Sequence, residues 1–201
     1  MTCKRCDPDL IKPNGLIRVT STPNDYRCIE CGDKIMSNMD YFNEKVRRWD
    51  HYFHRICIAV ASKSPCLSRQ IGAILVRDKS IVSTGYNGPA RGYPHCESGI
   101  PPEVPFEEYI CPRKLKGYAS GEGLHECPAA HAEGNCIANA ARNGVSTTGT
   151  TLYMNCMIPC KDCAIILVNA GITEIVVDDT TPYHQMSIKI LDKVKIRSFK
   201  L

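Results

Sequence analysis

Two short stretches, His131-Ala132-Glu133 and Pro159-Cys160-Lys161-Asp162-Cys163, decide how the rest of this chain is read. One histidine and two cysteines make a three-ligand zinc set with a fourth position open. That is the layout of a catalytic site, since structural sites close all four positions. Zinc held in this way brings the pKa of a coordinated water toward neutrality. Glu133, two residues past the histidine, is placed to exchange protons with that water without binding the metal. Each ligand group also stands where a helix should begin. Residues 131–142 carry Ala132, Cys136, Ile137, Ala140 and Ala141 as a small-residue inner face, and residues 159–169 open on a proline. Helix starts favour thiolate and hydroxide through the helix dipole.

Working outward, the sequence alternates strands and helices. Residues 71–76 read as a buried strand, 77–79 as a turn and 80–85 as its hairpin partner. Further strands are expected at 151–156, 174–177 and 194–199. A helix over 183–192 precedes the last of these, and a helix over 41–63, with Asp50 as a candidate break, precedes the first strand. Its His51 and His54 read as solvent-facing or core-edge residues rather than ligands. The order β-β-α-β-α-β-α-β implies an α/β fold: a five-stranded mixed sheet with helices on both faces, three layers deep. Ligands at helix starts then sit at strand ends, where sites in such sheets form. The loop Gly85-Tyr86-Asn87-Gly88 follows a strand and lets backbone approach a ligand. Asn87 reads either as a contact to a sugar hydroxyl or as a plain turn residue.

Thirteen cysteines are an odd number, so complete internal pairing is excluded. The chain shows no apolar run of membrane-spanning length and no signal-peptide h-region. A cytoplasmic location is therefore expected, where cysteines read as metal ligands. The formal net charge of +4 suits an anionic small molecule better than a nucleic-acid stripe. No internal repeat or low-complexity segment is visible. Cys3-x-x-Cys6 and Cys28-x-x-Cys31 read as a small zinc ribbon over residues 1–36, folded by its metal. A strand is expected there at 15–20, and the main domain is expected over 37–201. Residues 92–130 form a Gly- and Pro-rich insertion with Cys96, Cys111, His125 and Cys127, near which Cys66 also falls. Four of these would make a second closed zinc site and pin the loop. The other reading is a set of reduced, unliganded thiols.

The motifs become specific when taken together. They are Ser64-Pro65-Cys66-x-x-Arg69-x-Ile71-Gly72-Ala73, Ser83-Thr84-Gly85-Tyr86-Asn87-Gly88 and Pro94-His95-Cys96. Then come His125-x-Cys127-x-x-x-His131-Ala132-Glu133-x-Asn135, Pro159-Cys160-x-x-Cys163-Ala164 and Ala170-Gly171-Ile172. From Trp49 to its end the chain resembles the deoxycytidylate (dCMP) deaminases of the cytidine deaminase superfamily, in their microbial and phage form. The zinc pair alone suits several nucleobase deaminases. The Gly-Tyr-Asn-Gly loop with the cysteine-rich insertion narrows it to the dCMP branch.

The resemblance implies a cytidine deaminase-like fold and hydrolysis of dCMP to dUMP, supplying dTMP synthesis. His131, Cys160 and Cys163 would hold the catalytic zinc. Glu133 would take the water proton, pass it to the ring nitrogen and help ammonia leave. Asn87, Ala132, Tyr183 and Arg142 would meet the substrate, Arg142 near the phosphate or from a neighbouring subunit, with Arg69 as another phosphate cation. Cys66, Cys96, His125 and Cys127 would hold a structural zinc, with Cys111 competing as fourth ligand. The family further implies a homo-hexamer, activated by dCTP with magnesium and inhibited by dTTP at Gly85, Tyr86, Asn87 and Gly88. Pro89-Ala90-Arg91 departs from the family's loop there, and the ribbon lies outside the family core. If the source is viral, the host cytoplasm is implied. A preference for dCTP or a 5-modified dCMP is the alternative. A nucleic-acid deaminase gripping through the ribbon is disfavoured, because basic and aromatic residues are not interleaved.

Overall fold

The structure, a computed structural model, describes residues 19–22, 25–28, 34–36, 38–96, 98, 110–119 and 121–199, with side chains from Arg48 onward. The chain separates into two compact units, Met1–Trp49 and Asp50–Leu201. In the first, β1 (Val19–Thr22), β2 (Asp25–Cys28) and β3 (Lys34–Met36) form an antiparallel sheet in that order. Cys3, Cys6 and Cys31 of the expected ribbon lie outside the described residues, as do residues 15–18 of the expected strand. Cys28 ends β2.

Helix α1 (Asn38–Ala61) runs unbroken through Asp50, so the division between units falls inside a helix and not at 36/37. No proline or glycine interrupts residues 38–61, and Asp50 is held rather than solvated. Its buried carboxylate accepts hydrogen bonds from the Tyr153 hydroxyl at 3.0 Å and from Arg197 Nη2 at 2.9 Å. Arg197 Nε also donates to Glu174 at 2.8 Å.

The second unit contains β4 (Gly72–Arg77), β5 (Ser80–Tyr86), β6 (Gly88–Pro89), α2 (Pro112–Leu115), β7 (Ala129–Ala130) and α3 (Ala132–Arg142). It continues through β8 (Thr151–Ile158), α4 (Lys161–Asn169), β9 (Glu174–Pro182), α5 (Gln185–Ile190) and β10 (Lys195–Ser198). Five strands form one mixed sheet in the order β10-β9-β8-β4-β5. The first three are mutually parallel, and β4 is antiparallel to both neighbours. The hairpin turn is Asp78-Lys79, both at positive φ (50° and 61°), which matches the twist of the flanking strands.

Strand alternation separates two cores. On one face Ile74, Val76, Tyr153 and Val176 pack with Phe53 and Cys57 of α1 and with Phe199. On the other, Ala73, Leu75, Leu152, Met154, Ile175 and Val177 pack with Ala132 and Cys136 of α3, Ala164 and Leu167 of α4, and Leu191. The result is the expected α/β/α sandwich. Ala141, expected on the inner face of α3, is exposed. The buried face runs through Ala132, Glu133, Cys136 and Ala140, as the 3.6-residue period dictates. The helix expected over 183–192 is shorter, with His184 as its N-cap and Leu191 as its C-cap, and the strand expected over 174–177 continues to Pro182.

Edge strand β5 is protected by α3. Asn135 Nδ2 donates to the Tyr86 carbonyl and Asn139 Nδ2 to the Thr84 carbonyl, each at 2.8 Å, and Ser83 Oγ donates to the Cys136 carbonyl at 2.7 Å. These bonds fix α3, and with it the first ligand group, against the sheet. The short β6–β7 ladder, Gly88 opposite Ala130, ties the two ends of the insertion together. Among the described residues, no helix is long and apolar enough to cross a membrane.

Candidate active site

His131 is the N-cap of α3 and Cys160 the N-cap of α4. Both have extended backbones, and neither spends its side chain on capping. Those side chains instead converge. His131 Nδ1 lies 3.4 Å from Cys160 Sγ and 3.4 Å from Cys163 Sγ. Tetrahedral zinc, with Zn–N of about 2.0 Å and Zn–S of about 2.3 Å, requires N···S edges of about 3.5 Å. The three atoms therefore fit the ion, and all lie within 4.8 Å of one another. Cys163 is buried, Cys160 half-buried and His131 exposed, so one side of the set stays open.

A hydrogen bond from Cys163, joined by one from His131, holds the Cys160 thiol far below its ordinary value against the effect of burial. The same bond and burial push Cys163 up. His131 is raised, first through its hydrogen bond to Cys160.

Glu133, in the first turn of α3, is 4% exposed. Burial raises its carboxyl above the usual range, while a hydrogen bond with Cys163 works in the other direction. A buried carboxyl beside a metal set is placed to exchange protons there.

A cavity of about 200 Å³ opens beside this group. Residues 129–133 and 156–160 line it, together with Cys66, Ser68, Arg69, Ile71 and Asn87. Arg113, Gly121, Leu124 and Cys127 of the insertion and Tyr183 complete the wall. Asn87, Ala132, Tyr183 and Arg69 are thus brought to the site as expected. Arg142 is not. It sits exposed at the far end of α3, about 15 Å of helix from Ala132. Within one chain it cannot reach the cavity.

Asn87 has a second duty that spacing did not show. Its Oδ1 accepts from the Ile71 amide and the Ser64 hydroxyl, each at 2.8 Å, and its Nδ2 donates to the Arg69 carbonyl at 2.9 Å. It clamps the 64–71 loop to the end of β5, leaving one Nδ2 hydrogen for a ligand. Arg113 and Cys156 were missed altogether. Arg113 lies in a segment of the insertion that no period governs, whereas Cys156 shares the β8 face of Leu152 and Met154, so strand alternation could have found it.

Among the described residues His131, Cys160 and Cys163 are the one group whose ligand atoms all lie within 4.8 Å of one another, and the thiols of the insertion do not close to that distance. Cys96 is raised by burial and then by the nearness of Cys111, Cys127 and Cys66. Cys111 is buried. His125 stands apart, with its side chain 77% exposed and its Nε2 3.9 Å from Glu126.

Residues 47–178 match the family described as the cytidine and deoxycytidylate deaminase zinc-binding region. The chain belongs to this deaminase family. Its zinc-binding region therefore includes the His131–Cys160–Cys163 set. A deoxycytidylate deaminase of Saccharomyces cerevisiae is 32% identical over 153 residues, covering 75% of this chain and 45% of the relative. That of Mycobacterium phage D29 is 33% identical over 133 residues, 64% of this chain and 92% of the relative. The deaminase-family chain thus spans under half of the yeast relative but nearly all of the phage one. In fold it is similar to the apo dCMP deaminase of cyanophage S-TIM5. The TM-score is 0.54 at 20% identity, covering 74% of this chain and 95% of that one.

Proposed function

We propose that this chain deaminates dCMP to dUMP and ammonia, in the cytoplasm and as a homo-hexamer. The observation that carries the reading is the three-ligand set, open on one side, with the buried carboxyl of Glu133 next to it in a cavity walled by Asn87, Arg69 and Tyr183. Zinc on His131, Cys160 and Cys163 would supply an activated water at neutral pH. Glu133 takes the proton that water loses, delivers it to the pyrimidine ring nitrogen, and returns a proton to the departing amine. Its burial raises its affinity for the proton it takes up. Asn87 offers its remaining Nδ2 hydrogen to the sugar, Tyr183 its ring to the base and Ala132 a close wall.

The test is turnover of dCMP, followed by loss of the cytosine absorbance, with dCTP, 5-methyl- and 5-hydroxymethyl-dCMP in the same panel. Glu133→Ala should lower turnover by about 10²- to 10⁴-fold with catalytic zinc retained. Retained turnover would remove Glu133 from the chemistry, and no turnover of any of these nucleotides would overturn the activity.

Two further assignments belong to this reading. A structural zinc is proposed on Cys66, Cys96, Cys111 and Cys127, with His125 left out because it faces solvent. With a ribbon zinc on Cys3, Cys6, Cys28 and Cys31, this predicts three zinc ions per chain. Effector control by dCTP with magnesium and by dTTP is assigned to Gly85–Gly88. Gly85 is packed on α3, Gly88 is paired with Ala130 and the Asn87 amide is engaged, so Tyr86, 40% exposed, is the side chain left to meet an effector. Rates measured with and without dCTP–magnesium and dTTP test that assignment.

A further inference from the structure

The insertion does more than close over the thiols. It puts a guanidinium on the cavity wall. Arg113, in α2, lines the cavity and lends Nη1 to the Glu122 carbonyl. Its Nε is buried with no hydrogen-bond partner, a costly state for so strong a donor. Among the described residues no carboxylate pairs with it. The two acids of the insertion among the described residues are committed elsewhere: Glu126 to Lys116 and Tyr118, and Glu122 Oε2 to the Ala119 amide at 3.0 Å. Among the described residues the cavity wall holds two guanidiniums, Arg69 and Arg113, against a single carboxylate, Glu133. A site built this way has an uncompensated positive end whose planar forks match a phosphate.

The position of Arg113 is also set. Its Nη1 donates to the Glu122 carbonyl, one residue from Gly121. Gly121, at φ +88°, leaves no space for a side chain against the Tyr183 hydroxyl, so this part of the insertion rests directly on Tyr183 across the cavity wall.

We propose that Arg113 is the residue by which this chain selects a phosphorylated substrate, its fork binding the 5′-phosphate of the nucleotide. The proposal rests on the deaminase reading and names which side chain sets substrate class at that site. Arg113 takes no part in moving protons. Its contribution should therefore appear in recognition of the phosphate and not in chemistry on the base.

The experiment compares native protein, Arg113→Gln and Arg113→Lys, all zinc-loaded, with dCMP and deoxycytidine as substrates. Binding of dUMP and deoxyuridine is measured by calorimetry in parallel. Arg113→Gln should raise KM for dCMP by about 10- to 100-fold, the size of a lost charge-assisted bond, leave kcat within a few-fold and leave deoxycytidine unaffected. Binding of dUMP should weaken by the same factor. Arg113→Lys keeps the charge but not the fork, and should fall between the two. If Arg113→Gln fails to fold, the lysine variant carries the test. An unchanged preference for dCMP over deoxycytidine, in whichever variant folds, overturns the proposal while leaving the deaminase reading intact. If native protein turns over neither substrate but loses dUMP affinity in the variants, the deaminase reading falls and phosphate selection by Arg113 stands.

Discussion

Gly85→Ala should damage the active site through a single methyl group. Gly85 lies on β5 directly opposite Ala73, on the sheet face covered by α3. A Cβ there would sit 2.3 Å from the Cys136 amide nitrogen, 2.6 Å from the Ala132 carbonyl oxygen and 2.7 Å from Cys136 Cα. All three are backbone atoms of the helix that bears His131 and Glu133, so no side chain can swing aside. To restore van der Waals separation α3 must retreat by about 1 Å. Overpacking of this kind costs about 1–3 kcal/mol, or a Tm loss of roughly 3–10 °C for a domain of this size. A displacement of about 1 Å at reacting groups costs about 10²-fold in rate. It also pulls His131 away from the two sulfurs on α4, so zinc affinity should fall. Gly72→Ala is the control. Its Cβ would meet Cys57 O at 2.2 Å and Ala61 N at 2.6 Å, on α1 and the opposite face. It should lower Tm by a similar amount while folded protein keeps native kcat and zinc content. Melting curves, zinc titration and dCMP turnover on both variants decide the matter. Gly85→Ala with lowered Tm but native turnover and zinc affinity would refute the claim that contact with β5 sets the catalytic geometry.

Two other outcomes are expected. Cys111→Ser should remove one zinc per chain by elemental analysis and lower Tm, whereas His125→Ala should change neither; the reverse result would return His125 to the ligand set. Glu174 is raised by burial but lowered on balance by hydrogen bonds from Arg197 and Lys195. Its stabilising contribution is thus complete above the ordinary carboxylate value and lost as pH falls through the lower folded value. Glu174→Gln should therefore flatten the fall in Tm below about pH 4.5, and an unaltered acid limb would contradict this.

What could be read in the sequence, and what could not, follows from the range of the interactions involved. The ligand set was legible because each part is local. A helix start fixes His131 and Glu133 on one turn, and Cys160-x-x-Cys163 brings two sulfurs onto one end of the next helix. The sheet was legible because β4, β8 and β9 are apolar on both faces and punctuated by turns. Asp50, read as a candidate break, is where the two units divide, yet α1 runs on through it because nothing in residues 38–61 interrupts a helix. Asn87 looked like a turn residue, since its partners lie 16 to 23 residues away at Ser64, Arg69 and Ile71. The choice between His125 and Cys111 rests on which side chain a loop turns inward, and no periodicity governs a loop.

Arg113 was hidden for the same reason, and its case shows what the insertion adds. A cavity assembled from strand ends and helix starts alone would contain Glu133, the ligands and Arg69. The second guanidinium, Arg113, joins the wall only through the insertion, whose Gly121 rests on Tyr183. Metal on the thiol cluster would then do more than stabilise a loop. It would hold the second guanidinium on the cavity wall, so loss of that metal should weaken nucleotide binding before it unfolds the sheet.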